Sequence, residues 1–347
     1  MRAPLRTLVV FFAGFFPALA SAHEVYVLPA ATIKEAIAMP GFSEWHTMWA
    51  NTDQFIFWAF IAALVVFIVF FASISRVLER ALDPLLAKLP PYAPVISRVT
   101  IGLSLLAAAY YGALFGPELP LAATFGSSTG VVTLVLLLVG TMITFGVYAR
   151  IATVLALALF AVEVAAHGIY LLTYANYFGE FIVLLILGAH LVAVHHKGHD
   201  AARAPRWFLR LKARLTPYTF LILRIAFGTS LLYASLYAKV IHNNLALDVV
   251  YAYPGLAHFF GFEPHFLVLG AAIIEIVIAL FFILGIEIRF TALFLLFWLS
   301  LSLSYFGEVV WPHLVLIGIP ISFIFYGYDR YSLEGWIFKR RGREPVL

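Results

Sequence analysis

An ionisable side chain in the middle of an apolar run is the first place to look for chemistry. Glu275 is the clearest case, set within Ala271-Ala-Ile-Ile-Glu275-Ile-Val-Ile-Ala-Leu280. Leaving a charge at bilayer depth costs about 2.5–3.5 kcal/mol on insertion scales, so such a group usually has a partner and a task. Glu163 and His167 form a second candidate, four residues apart on one helix face. A carboxylate and an imidazole stacked this way pass a proton, hydrogen-bond one ligand oxygen, or merely lock two helices together. Lys239 lies near the outer end of a span. It either snorkels to the headgroups, pairs with Glu275 or Glu308, or attracts an anion. Arg224 is on the same helix but about 22 Å away, so the two cations cannot share one site.

These residues must be held by elements that cross a bilayer. The chain has 347 residues, 63% apolar and 12% charged, with no cysteine, and a mean hydropathy of +0.99. Soluble domains run near half apolar and about a quarter charged, so a water-soluble enzyme is excluded. Disulfide scaffolds, thiol relays and cysteine-ligated metal centres are excluded with it. No Walker, Rossmann, zincin or haem-attachment motif is present. The net charge of +4 calls for no nucleic-acid partner. His190, His195, His196 and His199 share no ligand face, and His23 with His46 requires one particular N-terminus, so no metal is assigned.

The expected fold is all-α and polytopic. Residues 1–22 read as a secretory signal peptide, with a basic start, a short apolar stretch and the small-residue pattern Ala20-Ser21-Ala22. Nine spans follow by hydropathy: 53–76, 96–115, 130–147, 151–172, 180–195, 218–241, 265–285, 288–305 and 311–328. An exported N-terminus puts Lys34 and Lys239 outside. With Arg2 and Arg6 in the signal, eighteen of the 22 Lys and Arg remain, all at or near inner ends. That bias is the positive-inside signature and sets the C-terminus inside.

The chain also resembles itself. Arg98-x3-Gly102 recurs as Arg224-x3-Gly228, Gly146-x3-Arg150 as Gly285-x3-Arg289, and Tyr177-Phe-Gly-Glu180 as Tyr305-Phe-Gly-Glu308. The expected organisation is therefore an exported segment (23–52), an anchor helix (53–76) and an inner linker (77–95), rich in proline and closed to a continuous helix. Two parallel four-helix units follow (96–195 and 217–328), joined by a basic inner linker (196–216) and ending in a basic tail (329–347). The linker carries Trp207, Phe208 and Leu211 among its cations. It is either an amphipathic helix on anionic lipid or a plain positive-inside loop.

Each unit resembles a DoxX-type membrane module: Arg-x3-Gly opens the first helix, a Lys closes it, and a Glu precedes a Gly-x3-Arg turn in the second. Arg224, Gly228, Lys239, Glu275, Gly285 and Arg289 match, and His313 stands where the last helix often has a polar residue. The first unit matches at Arg98, Gly102, Gly146 and Arg150, but has Ala113 opposite Lys239 and no Glu before Gly146. That family includes the membrane subunit of thiosulfate:quinone oxidoreductase. The resemblance implies a quinone-linked oxidoreductase component with Glu275, His313 and Glu308 handling protons. It implies Lys239 as a contact to an anion or quinone carbonyl, with Tyr233, Tyr237 and Arg224 on the cofactor side. The tyrosines suit a flat quinone head group, and packing explains them equally well. Glu163 and His167 would be a proton relay in the first unit.

The expected cofactor is quinone. The expected partners are membrane lipid and an exported-side redox subunit, in a prokaryotic cytoplasmic membrane. An ion-coupled transporter and a non-catalytic scaffold subunit are the alternatives. Against a carrier, no span but the ninth, at Pro320, is interrupted by Gly or Pro at midplane.

Overall fold

The computed structural model describes residues 28–86, 88–188, 205–306 and 311–336. The expected signal peptide, His23, the histidines at 190–199, Glu308 and the part of the basic tail beyond residue 336 lie outside the described residues. Among the described residues the structure is helical, apart from one bridge between Ala113 and Pro120.

Two short helices, α1 (Ala30–Ala38) and α2 (Glu44–Asn51), precede a long α3 (Phe55–Leu86). Then come α4 (Ala93–Tyr111), α5 (Leu121–Phe125), α6 (Thr129–Phe145), α7 (Ala149–His167) and α8 (Ala175–Leu187). After the basic helix α9 (Arg206–Leu215) come α10 (Thr219–Leu236), α11 (Asn244–Ala252) and α12 (Gly255–Phe260). The last are α13 (Pro264–Leu284), α14 (Ile288–Phe306) and α15 (Pro312–Tyr326).

Six stretches among the described residues are long and apolar enough to cross a membrane, and a seventh arises if the bent pair α2 and α3 is one span. Val65, Val69, Val131, Leu138, Val154, Leu293 and Phe297 point outward. A soluble protein would not leave so continuous an apolar surface to water. The chain is a multi-pass membrane protein.

Helix α3 runs past the expected end of its span, through Pro84 to Leu86. A proline near the last turn removes only one intrahelical bond close to where the ladder ends. Pro94 sits in the first turn of α4, where amide hydrogens have no intrahelical acceptor anyway. Helix α3 ends at Leu86 and α4 begins at Ala93, with a 3-10 turn at Pro90–Tyr92 between them, so no single helix runs through the segment 77–95.

Two quartets, α4/α6/α7/α8 and α10/α13/α14/α15, turn the same corners. Gly146 and Gly285 end α6 and α13 in the left-handed region, at φ 70° and 71°. Each is followed two residues later by a non-glycine at φ 46°, Tyr148 and Glu287. The glycine has no Cβ to clash there, which is why this helix end falls where it does.

Close helix crossings correspond as well. Gly102 abuts Gly140 and Thr144 of α6, and Gly228 abuts Ala279 and Ile283 of α13. Across the quartets, Gly179 of α8 meets Ala226 of α10, while Gly318 of α15 meets Thr100 of α4. Small residues let the backbones approach this closely, the usual means of helix association in lipid.

The duplicated arginines hold one end of the bundle. Arg224 is buried and donates from Nη1 to the carbonyls of Phe282 and Ile283, each at 2.6 Å. Arg289 Nε donates to the carbonyl of Ile324 at 3.1 Å, and its guanidinium lies against Gly327 as that of Arg150 lies against Gly188. These are cations on the open carbonyls of helix C-termini. This end is called the basic end below.

Candidate functional site

At the opposite end of the second quartet, α10 does not stop at Leu236 but widens into a π-helical turn, Tyr237–Ile241. A π turn adds a residue to the helix and rotates what it carries; such turns recur at functional sites. Lys239 is the cation in that turn. It is buried, and its Nζ lies 3.0 Å from Oε2 of Glu275 on α13. Of the three readings of Lys239, pairing with Glu275 is the one formed. Both members sit among apolar helices, where an ion pair persists only if each partner stays.

Aromatic rings flank the pair. Tyr233 and Tyr237 stack at 6.1 Å. Tyr170, from the 3-10 turn before α8, meets Tyr237 edge-on at 5.2 Å. Tyr170 donates to Glu118 at 3.0 Å, and Tyr174 donates to the same oxygen. The ring array therefore passes from the second quartet to a carboxylate of the first.

The N-terminal segment caps this end. Asn243, buried and four residues beyond Lys239, accepts from the Phe42 amide at 3.0 Å and donates to the Phe42 carbonyl at 2.7 Å and to Glu44 at 2.9 Å. Asn244 donates to the Pro40 carbonyl, and Phe42 packs edge-on against His265. Burial pushes the Glu44 carboxyl up, opposed by the Asn243 bond and by His265. On α11, burial and then the neighbouring Glu35 push Asp248 up.

The other expected residues are placed separately. Glu163 is fully buried on α7, 3.2 Å from Nε2 of His167. The Thr124 hydroxyl of α5 lies 3.3 Å from both. This cluster belongs to the first quartet and includes a threonine that the i, i+4 spacing could not show. Arg224 is at the basic end, engaged with α13 carbonyls, and is not brought to the Lys239–Glu275 pair. His313 is buried at the start of α15. Tyr177 and Glu180 lie inside α8, whereas Tyr305 ends α14, so the Tyr-Phe-Gly-Glu matches occupy different places in the two quartets.

Sequence reasoning missed Tyr170 and Tyr174, and had Glu180 as the end of a repeated Tyr-Phe-Gly-Glu, not as a buried carboxyl. Their signal was a polar stripe at 170, 174, 177 and 180, the spacing of one helix face. Among the described residues no three His, Asp or Glu converge as a metal-ligand group.

No protein-family model matches the chain, and comparison with curated proteins and with solved structures returns no match either.

Proposed function

We propose that the chain is an integral membrane component of a quinone-linked oxidoreductase, of the kind that takes electrons from a sulfur compound such as thiosulfate. The observation that carries this reading is the pair formed by buried Lys239, in a π turn beside stacked tyrosines, and half-buried Glu275 of α13. It supplies a hydrogen-bond donor for a carbonyl or anion, an adjacent proton acceptor, and a flat aromatic wall. A quinone bound there would supply acceptance of two electrons and two protons. Lys239 would orient a carbonyl oxygen, Glu275 would hold or move a proton at its Oε atoms, and Tyr233 and Tyr237 would wall the ring. His313 and Glu308 would continue the proton route, and Glu163 with His167 would relay in the first quartet.

The proposed architecture is two parallel repeats after an anchor helix. Matched left-handed residues at Gly146 and Gly285, and matched junctions at Gly179 and Gly318, support it. All nine hydropathy segments fall on helices as far as they are described, which supports nine spans. The arginine-capped basic end then faces the cytoplasm of a prokaryotic cell by the positive-inside rule. The N-terminal cap follows a cleaved signal peptide on the exported side, where a redox partner subunit would dock.

The test is quinone content. Extraction of purified, detergent-solubilised protein should give near-stoichiometric quinone, reduced in Glu275→Gln and in Lys239→Ala. Quinone at the lipid background in all three would sink the proposal. A pH- or substrate-dependent flux in liposomes would then favour a transporter, and no flux a scaffold.

A further inference from the structure

At the basic end, four helices meet around a small cavity of about 50 Å³. Its wall comes from the start of α4 (Ala93, Ser97), the end of α8 (Glu180, Leu187), the start of α10 (Thr219) and the end of α15 (Ser322). It is the junction where each quartet meets the other, at the opposite end of α10 from Lys239.

Glu180 is the one carboxyl in that wall, and its residue is 1% exposed. Among the described residues neither carboxylate oxygen meets a hydrogen-bond donor in bonding geometry. The Ser97 hydroxyl belongs to the same cavity wall. Ser97 and Ser322 face each other at 3.3 Å, and Ser322 also donates to the Ala93 carbonyl at 3.0 Å. The other titratable groups near this end of the surrounding helices are Arg98, buried beside Ser97 on α4, Tyr177, one turn earlier on α8, whose hydroxyl bonds Ser104 at 2.6 Å, and Tyr326 on α15. Arg224 on α10 is directed to the carbonyls of α13.

An ionised carboxylate without donors in an apolar junction is far costlier than its neutral acid. A metal cation of sodium or calcium type needs about six oxygen ligands, more than one carboxyl and two hydroxyls supply. A cavity of this size holds at most one or two waters, enough to hand a proton to the carboxyl from the ends of the four helices.

We infer that Glu180 is a proton-binding site, loaded from the aqueous phase at the basic end through the cavity between α4, α8, α10 and α15. The proton adds to a carboxylate oxygen and leaves by the same route, so no other reactant is needed. This site is independent of the quinone proposal and stands or falls apart from it.

Infrared spectroscopy of the full chain in lipid nanodiscs tests it. At neutral pH the wild type should show a protonated-carboxyl C=O band that is lost in Glu180→Gln. On transfer to D2O that band should shift promptly, and Leu187→Trp, which fills the mouth, should slow the shift while leaving the band. If Glu180→Gln fails to fold, Ser97→Ala with Ser322→Ala, which keeps the carboxyl, should move the band's frequency. The inference is overturned by a band that Glu180→Gln leaves intact or that the paired serine variant leaves unmoved. It is also overturned by a band that does not shift in D2O, or by one that sodium chloride abolishes.

Discussion

In the second quartet Glu275 stands ten residues before the left-handed Gly285 and meets Lys239 at 3.0 Å. In the first, the residue ten before the left-handed Gly146 is Leu136, fully buried, and Ala113 follows α4 where Lys239 follows α10. The backbone corners and glycine junctions agree, while the side chains at this place differ in kind. Hydrocarbon is therefore sufficient to hold such a quartet together. The ion pair is not required by the corners and glycine junctions that the two quartets share, and at this place it is present in the second quartet and absent from the first.

The largest effect should come from splitting the pair. Lys239→Ala leaves a carboxylate without its cation among apolar helices and should cost about 3–5 kcal/mol in denaturant unfolding. Lys239→Ala with Glu275→Leu gives the second quartet the residues of the first. Its stability should return close to wild type, and a double variant as unstable as the single one would break the comparison.

Next in size are the junctions. Gly179→Ala would press on Ala226 and Gly318→Ala on Thr100. Each should lose about 1–3 kcal/mol by overpacking, whereas Gly130→Ala, with open space around its Cβ, should be nearly neutral. Unequal losses at the two junctions, read by thermal unfolding, would show that the quartets are not packed alike.

Asn243→Ala removes three bonds to the N-terminal segment, a feature of the second quartet only. About 1–2 kcal/mol should be lost, with faster protease cleavage within residues 28–51. Unchanged protection would mean that apolar contacts, not Asn243, seat the cap.

The smallest effect concerns Asp248, which burial and Glu35 push up. A carboxyl raised in the folded state contributes stability that is fully present below its unfolded value and lost as pH rises through the folded one. Asp248→Asn should therefore raise the melting temperature slightly at neutral pH. That gain should vanish as the pH falls toward the ordinary aspartate value.

The apolar runs revealed the long helices, and left-handed glycines such as Gly146 and Gly285 terminate two of them by local sterics. The short helices α1, α2, α5, α11 and α12 and the extension of α3 to Leu86 carried no such signal. Within 77–95 the prolines showed that no single helix runs through, but not that α3 would persist as far as Leu86, a matter of position rather than composition. Glu275, Lys239, Glu163 and His167 were visible as ionisable residues in or beside apolar sequence. Their partners were less so: Thr124 and Glu118 reach their sites from a one-turn helix and a turn whose path no periodicity encodes. The arginines were legible as a recurring sequence pattern but not as helix caps, since the carbonyls that Arg224 and Arg289 engage lie 35 to 59 residues away. Tyr177-Phe-Gly-Glu180 matched Tyr305-Phe-Gly-Glu308 in letters alone, and the depth of each in its quartet separates them.

Bound quinone and unfolding free energy, both measured on the Lys239→Ala/Glu275→Leu protein, test most directly whether the second quartet's ion pair is there for function. Wild-type-like stability together with loss of quinone is the result predicted here. Quinone retained at the wild-type level in that folded double variant would contradict it.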